Sequence, residues 1–443
     1  NNAGPDTNIT QASAFPATDS ELAVLSKWMD DRKGGVFATG DHDYLGASMC
    51  HRIPRVRTMR RWTNADGVPP IGGLFDADTA DRIDTLRPQT VDGSDTMSND
   101  THQGDTIPQP IQWVAWSTVN LTWYKRVARP HPVLCHPSLG PIDVMPDHAH
   151  EGLCVDTPNV NIGGSYNFDG TGNKPEYPLS TSGQQTRPTV IAYGSTLASP
   201  PYHFGKGPQP YRAKFPMISV YDGHVAKIGR VAVDSTWHHW MNINIVNLES
   251  AGGNNWEKIK QYFINLAVWL CPPGYTTKCF LDHVVLSQFG YAGAQEYSLK
   301  LSNIELGRAL RNQLTLYFGP CWVTQYVFDK VFEIDPKLAF NLFDRFVPRF
   351  DPQRPWPPIP DPCLTCPPLD LFEDAVLGGI VRATLKDTAE IRQQADNDKI
   401  TRDLSLEVAR RSADEGVRSG LADVREFWQK SLKETQDFLK LLP

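Results

Sequence analysis

Val36-Phe-Ala-Thr-Gly-Asp-His-Asp43 is the stretch on which the fold reading turns. A short apolar run ends at Gly40 and passes at once into a polar cluster, the pattern of a buried strand followed by a sharp turn. Upstream, Ser20-Glu-Leu-Ala-Val-Leu-Ser-Lys-Trp-Met29 places Leu22, Leu25 and Met29 at helical spacing, with Ser20 or Asp19 set to cap. Helix, Gly-rich turn, strand and Gly turn together form the αβ unit of a parallel sheet, so the predicted class is α/β.

Further along, Trp113-Val-Ala-Trp116 and Thr189-Val-Ile-Ala-Tyr193 read as strands, and residues 88–110 and much of 141–207 as loops. Pro216-Met-Ile-Ser-Val-Tyr221 and Gly229-Arg-Val-Ala-Val-Asp234 read as a strand pair joined through Asp222-Gly223. Ile259, Tyr262, Phe263, Leu266, Ala267 and Leu270 form one helical stripe ended by Pro272-Pro273-Gly274. The division that follows is an α/β domain over residues 1–275, a helical extension over 276–347, a Pro-rich linker over 348–368 and amphipathic C-terminal helices over 369–443. In the last part Leu421, Val424, Phe427, Trp428, Leu432 and Leu439 recur at steps near three and four, a stripe that needs a covering surface.

The net charge of -7 removes the nonspecific attraction that drives most nucleic-acid binding, and Arg52-Ile-Pro-Arg-Val-Arg-Thr-Met-Arg-Arg61 reads as a solvated or ion-paired run. No window approaches the length of a membrane-spanning helix. Eight Cys at irregular spacing do not form the framework of a small secreted domain, and the triplets at Asn8, Asn99 and Asn120 do not overturn a cytoplasmic reading. A parallel sheet of this kind ordinarily has a strand earlier than Val36, and the opening Asn1-Asn2-Ala3 points to a segment preceding it.

Three clusters concentrate His among carboxylates and hydroxyls in a chain with 12 His: Gly40-Asp41-His42-Asp43, Asp147-His148-Ala149-His150-Glu151-Gly152 and Ser235-Thr236-Trp237-His238-His239-Trp240. Each follows a strand-like segment or lies in a loop, where open α/β sheets bind ligands. Imidazoles and carboxylates suit a borderline divalent metal such as Zn, with His42, His150 and His238 as ligands and Asp41 or Glu151 as general base. A metal-free version keeps Asp41 or Glu151 as acid or base, oriented by His238 or His239. The competing reading has His238-His239 capping a strand through hydrogen bonds. Cys50 reads as a packed thiol, Cys154 as a less remote nucleophile candidate, and Cys363-Leu-Thr-Cys366 as a redox or zinc half-site without its complement, unless Cys271 and Cys279 supply it.

The strand and turn at 36–43, the loop Pro146-Asp-His-Ala-His-Glu-Gly152 and the segment Gly229–His239 resemble class I glutamine-amidotransferase-like proteins, especially the trehalose-utilisation type, over about residues 15 to 275. The resemblance implies a flavodoxin-like parallel sheet flanked by helices. Amidotransferases of that class carry a Cys at the strand-to-helix elbow within Gly-x-Cys-x-Gly; Asp41 stands at the matching position, so ordinary glutamine hydrolysis is not implied. Two functions are carried forward: a hydrolase acting on a small polar substrate, with Asp41, Glu151 and His239 in the chemistry, and a noncatalytic binding or assembly subunit that self-associates or binds a protein partner through residues 369–443.

Overall fold

The computed structural model describes residues 17–39, 50, 52–60, 109–122, 125–146, 149–151, 154–196, 213–234, 236–237, 243–275, 277, 300–339, 369–394 and 406–441. The chain divides into two compact units, Asn1–Val114 with Val133–Cys271, and Ala115–Pro132 with Pro272–Pro443. The segment Trp113–Trp116 spans the first division: a strand β2 (Gln112–Trp113) belongs to one unit, and β3 (Ala115–Thr122) begins the other.

In the first unit, helix α1 (Asp19–Asp30) opens with a capping box in which Thr18 and Glu21 exchange hydrogen bonds. Thr18 is therefore the cap, one residue ahead of Asp19 and two ahead of Ser20, the expected candidates. After α1 comes β1 (Val36–Ala38), and a short helix α2 (Val56–Met59) follows. Strands β6 (Thr189–Thr196), β7 (Ala213–Tyr221) and β8 (Val231–Asp234) complete a five-stranded sheet in the order β1-β8-β7-β6-β2.

The sheet is mixed. β1 runs parallel to β8, with Val36 opposite Val231 and Ala38 opposite Val233, whereas β8–β7, β7–β6 and β6–β2 are antiparallel. The expected parallel arrangement thus holds at one pair among the described strands. The reason is local: the Asp222-Gly223 corner turns the chain straight back through a one-turn helix at Gly223–Ala226, with the Asp222 carboxylate accepting from the His224 amide, and leaves no crossover helix between β7 and β8.

Side-chain alternation assigns the two faces. Phe37 and Ala232 join the cluster built on Tyr262, Leu266 and Trp269 of α4 (Gly253–Leu270), which follows α3 (Ile243–Ala251). Val36, Ala38, Val231 and Val233 face the other way, onto Met29, Val56, Met59, Cys154 and Tyr177. A strand covered on both faces reads as a continuous apolar run, which is why Val231-Ala-Val233 carries no polar alternation. Burial of a side chain such as Leu266 contributes at most ~1.5–3 kcal/mol.

Backbone contact fixes where β1 enters. A Cβ on Gly229 would lie 1.9 Å from the Gly34 carbonyl oxygen, so no other residue fits there. Arg230 then locks the corner: its guanidinium donates to both Asp222 oxygens at 2.9 and 3.1 Å and to the Trp269 carbonyl, and lies over the Trp269 ring.

The second unit contains the hairpin of β3 and β4 (Lys125–Pro130) and helices α5 (Asn303–Phe318), α6 (Pro320–Ile334), α7 (Leu369–Gln394) and α8 (Leu406–Leu439). Helix α7 is the axis of this unit, with Phe372, Ala375, Val376, Leu377, Ile380 and Val381 all buried. Its Gly378-Gly379 pair lets neighbours touch backbone on two sides: a Cβ on Gly378 would lie 1.7 Å from the Asn303 oxygen of α5, and one on Gly379 2.0 Å from the Gly416 oxygen of α8. No helix among the described residues is long and apolar enough to cross a membrane.

Charge is buried alongside these contacts. Asp374 of α7 accepts from Arg308 and Arg311 of α5. Its neighbour Glu373 accepts from Thr324 of α6. Burial pushes the Glu373 carboxyl up to about 7, against partial offsets from the Thr324 hydrogen bond and from Arg129 and Arg311, with Asp370 adding to the rise. A carboxyl raised on folding stabilises the folded state fully below its unfolded pKa, and that stability is lost as pH rises through the folded pKa. Stability of the bundle is therefore expected to fall by up to about 3 kcal/mol between pH 4.5 and 8, and Glu373→Gln should flatten that slope. Urea unfolding across this range checks it; an equal slope in the variant would sink the assignment.

Candidate functional site

The ends of β1 and β8 define one edge of the first unit. Because the two strands are parallel and in register from Val36/Val231 to Ala38/Val233, their carboxyl ends leave the sheet side by side. The first cluster follows β1, but Asp41 and His42 lie outside the described residues. The third follows β8, whose last residue, Asp234, is fully buried; His238 and His239 lie outside the described residues as well.

The second and third clusters meet through their backbones. Strand β5 (Ala149–Glu151) pairs antiparallel with β9 (Thr236–Trp237), Glu151 opposite Thr236 and Ala149 opposite Trp237. The side chains of His150 and Glu151 lie outside the described residues. In sequence the two segments are far apart, and the pairing turns their proximity from a pattern argument into a main-chain one. Among the described residues no group of three or more His, Cys, Asp or Glu side chains could hold a metal.

Beneath this edge lies a floor that sequence reasoning did not single out. Tyr262 of α4 donates to Asp234 at 3.5 Å, and Tyr193 of β6 donates to Asp156 at 3.1 Å. Cys154 sits between these groups with its amide on the Pro216 carbonyl and its sulfur 3.7 Å from the Val233 carbonyl. Complete burial pushes the Cys154 thiol far above its usual range, more than the nearby Arg60 charge pulls it down. Burial likewise raises Cys50 to about 11, with Arg60 opposing. Burial thus favours the protonated form of both thiols and works against either as a nucleophile. Cys271 is half-buried, while Cys279, Cys363 and Cys366 lie outside the described residues.

The described part of the basic run supports this edge through ion pairs. Arg52 pairs with Asp19, Arg55 with Asp30 and Arg57 with Glu176. Arg55 is fully buried in a left-handed backbone conformation, φ 70°, and its amide and guanidinium reach the Glu176 carboxylate and carbonyl. Tyr166 also donates to Asp30, and Tyr177 to the Arg55 carbonyl. So anchored, the run delivers Met59 and Arg60 to the chain just after the second cluster: Val155 donates to the Met59 carbonyl at 2.8 Å, and Arg60 bridges Cys154. Three arginines of the run are thus ion-paired, and the signal missed in sequence was Glu176, more than a hundred residues away.

Glu176 is fully buried, and its carboxylate accepts from the Arg57 guanidinium and from the Arg55 backbone amide, so its removal leaves a buried N–H without its acceptor and takes the carboxylate from a part-buried arginine. Glu176→Ala should destabilise the first unit by about 1–3 kcal/mol, the cost of the unsatisfied Arg55 amide and the lost Arg57 contact. Chemical denaturation followed by the first unit's tryptophans measures this, and a loss below ~0.5 kcal/mol would contradict the role given to the network.

Compared with protein-family models, with curated proteins and with solved structures, the chain matches none.

Proposed function

We propose that the first unit is a hydrolase-like domain on a variant of the flavodoxin-like, glutamine-amidotransferase-like scaffold, with its site at the carboxyl ends of β1 and β8. The observation that carries this is the antiparallel pairing of Ala149–Glu151 with Thr236–Trp237, which sets two of the three His-containing clusters side by side beyond the end of β8. The parallel β1–β8 pair adds that the chain bearing the first cluster leaves the sheet from the same end.

In this reading Asp41 or Glu151 takes a proton from the attacking water, and His239 orients that carboxylate. His42, His150 and His238 are the imidazoles that would hold a divalent metal such as Zn, which supplies Lewis acidity when bound. The substrate is small and polar. Asp41 in place of an elbow Cys leaves no thiolate for a covalent acyl intermediate, and the buried, protonated Cys154 does not replace it.

A second reading is favoured by a separate observation. The last turns of α8 expose Phe427, Leu432, Phe438 and Leu439, an apolar surface of the kind that mediates association. The chain would then serve as a binding or assembly subunit through its C-terminal helices.

Elemental analysis of the purified protein tests the first reading. About one equivalent of metal, lost in both His42→Ala and His238→Ala, is the expected result. Protein that holds no metal after exposure to Zn removes the metal-assisted mechanism, and Glu151→Gln with unchanged hydrolytic activity would then remove the carboxylate one.

A further inference from the structure

Helix α8 has two halves with different surroundings. From Ala409 to Val424 it is packed in its own unit: Ala409, Ala413, Val417 and Val424 are buried, and Gly416 and Gly420 lie against the backbone of α7. Beyond Val424 it continues to Leu439 for about four turns with almost every residue exposed or half-buried. A helix that short is marginal in water on propensity alone, so packing must supply the rest.

The side chains of this half are sorted by angle. Trp428, Leu432, Thr435 and Leu439 follow one another at steps of four, three and four, a coiled-coil seam. Trp428 is half-buried, whereas Leu432 and Leu439 are 52% and 58% exposed, which leaves the seam uncovered from Leu432 onward. The positions flanking it, Gln429, Ser431, Gln436 and Phe438, carry no charge. Glu426, Lys430, Lys433, Glu434, Asp437 and Lys440 all fall on the opposite side of the helix. Arg425 alone brings a charge to the seam, at its start.

We propose that this seam pairs antiparallel with the same seam of a second copy of the chain. Flanking charges are what a coiled coil uses to select a different partner or to repel itself, and here there are none to do either. Parallel pairing would set Arg425 against Arg425, whereas antiparallel pairing separates the two guanidiniums and lays Trp428 of one copy beside Leu439 of the other and Leu432 beside Thr435. The contact is isologous and closes at two copies. The proposal rests on the assembly reading and narrows it to one partner and one face.

Light scattering on the eluting full chain, over a range of loading concentrations, tests it. The wild-type mass should rise toward twice 49.5 kDa with concentration, and Leu432→Glu or Leu439→Glu, both at exposed positions, should hold it at the monomer. A wild-type chain that remains monomeric overturns the proposal, as does a dimer that survives both substitutions. A chain ended after Val424 separates the two ideas. Should the wild type be monomeric, self-pairing fails, and the shortened chain decides the rest: if it unfolds at the same temperature the association reading stands, and if it unfolds earlier the tail belongs to its own bundle and that reading fails too.

Discussion

The parallel contact between Val36–Ala38 and Val231–Val233 is the constraint on which the first unit depends. A strand pair buried on both faces must have a helix on one side and a packed layer on the other, because each pleat sends alternate side chains into each. Helix α4 meets the first demand with Tyr262, Leu266 and Trp269. Helix α1, the short α2 and the segment around Tyr177 meet the second. The contact also requires the turn before β1 to lie on the turn before β8, and Gly229 against Gly34 is the atomic expression of that requirement. Its functional consequence is that two chain segments rich in His and carboxylate leave the sheet from one end.

Burial of charge is the second theme, and both units use it to hold segments that their apolar contacts alone would leave loose. Arg55, Arg57 and Glu176 tie the basic run to a distant loop, and the run in turn reaches Cys154 and Val155 beside the candidate site. In the helical unit, Asp374 is held by Arg308 and Arg311, and Asp387 by Ser412. Buried ion pairs contribute little net stability relative to apolar replacements, yet losing one partner is costly. Here they join segments far apart in sequence, the basic run to Glu176 and α7 to α5.

Elements with a strong local signal were legible in the sequence. The stripe from Ile259 to Leu270 announces α4, and Val36–Ala38 and Val231–Asp234 announce buried strands. Strand direction was not legible, since Val231-Ala-Val reads the same whether its neighbour runs up or down; the parallel sheet was read from the helix–strand unit at Val36 and from resemblance, and three of the four pairings in the sheet are antiparallel. The cap of α1 was misplaced because Thr18, Asp19 and Ser20 are all good caps and only the reciprocal bond to Glu21 selects among them. The central place of α7 could have been inferred from Gly378-Gly379, whose cost in a helix makes sense only where two neighbours approach closely. Of the site, the sequence located three clusters, and the backbone joins two of them; the supporting groups Asp234, Tyr262 and Glu176 act over distances that no local pattern carries.

The claim that binds fold to function is that the second and third clusters meet at the end of β8. A chain carrying both Glu151→Cys and Thr236→Cys tests it most directly, because facing residues of an antiparallel pair lie within the roughly 4.4–6.8 Å Cα separation that a disulfide spans. Mild oxidation followed by peptide mapping should recover a crosslink between those two positions, absent from either single variant. A folded double variant in which the two thiols remain free, or pair elsewhere, would contradict the account.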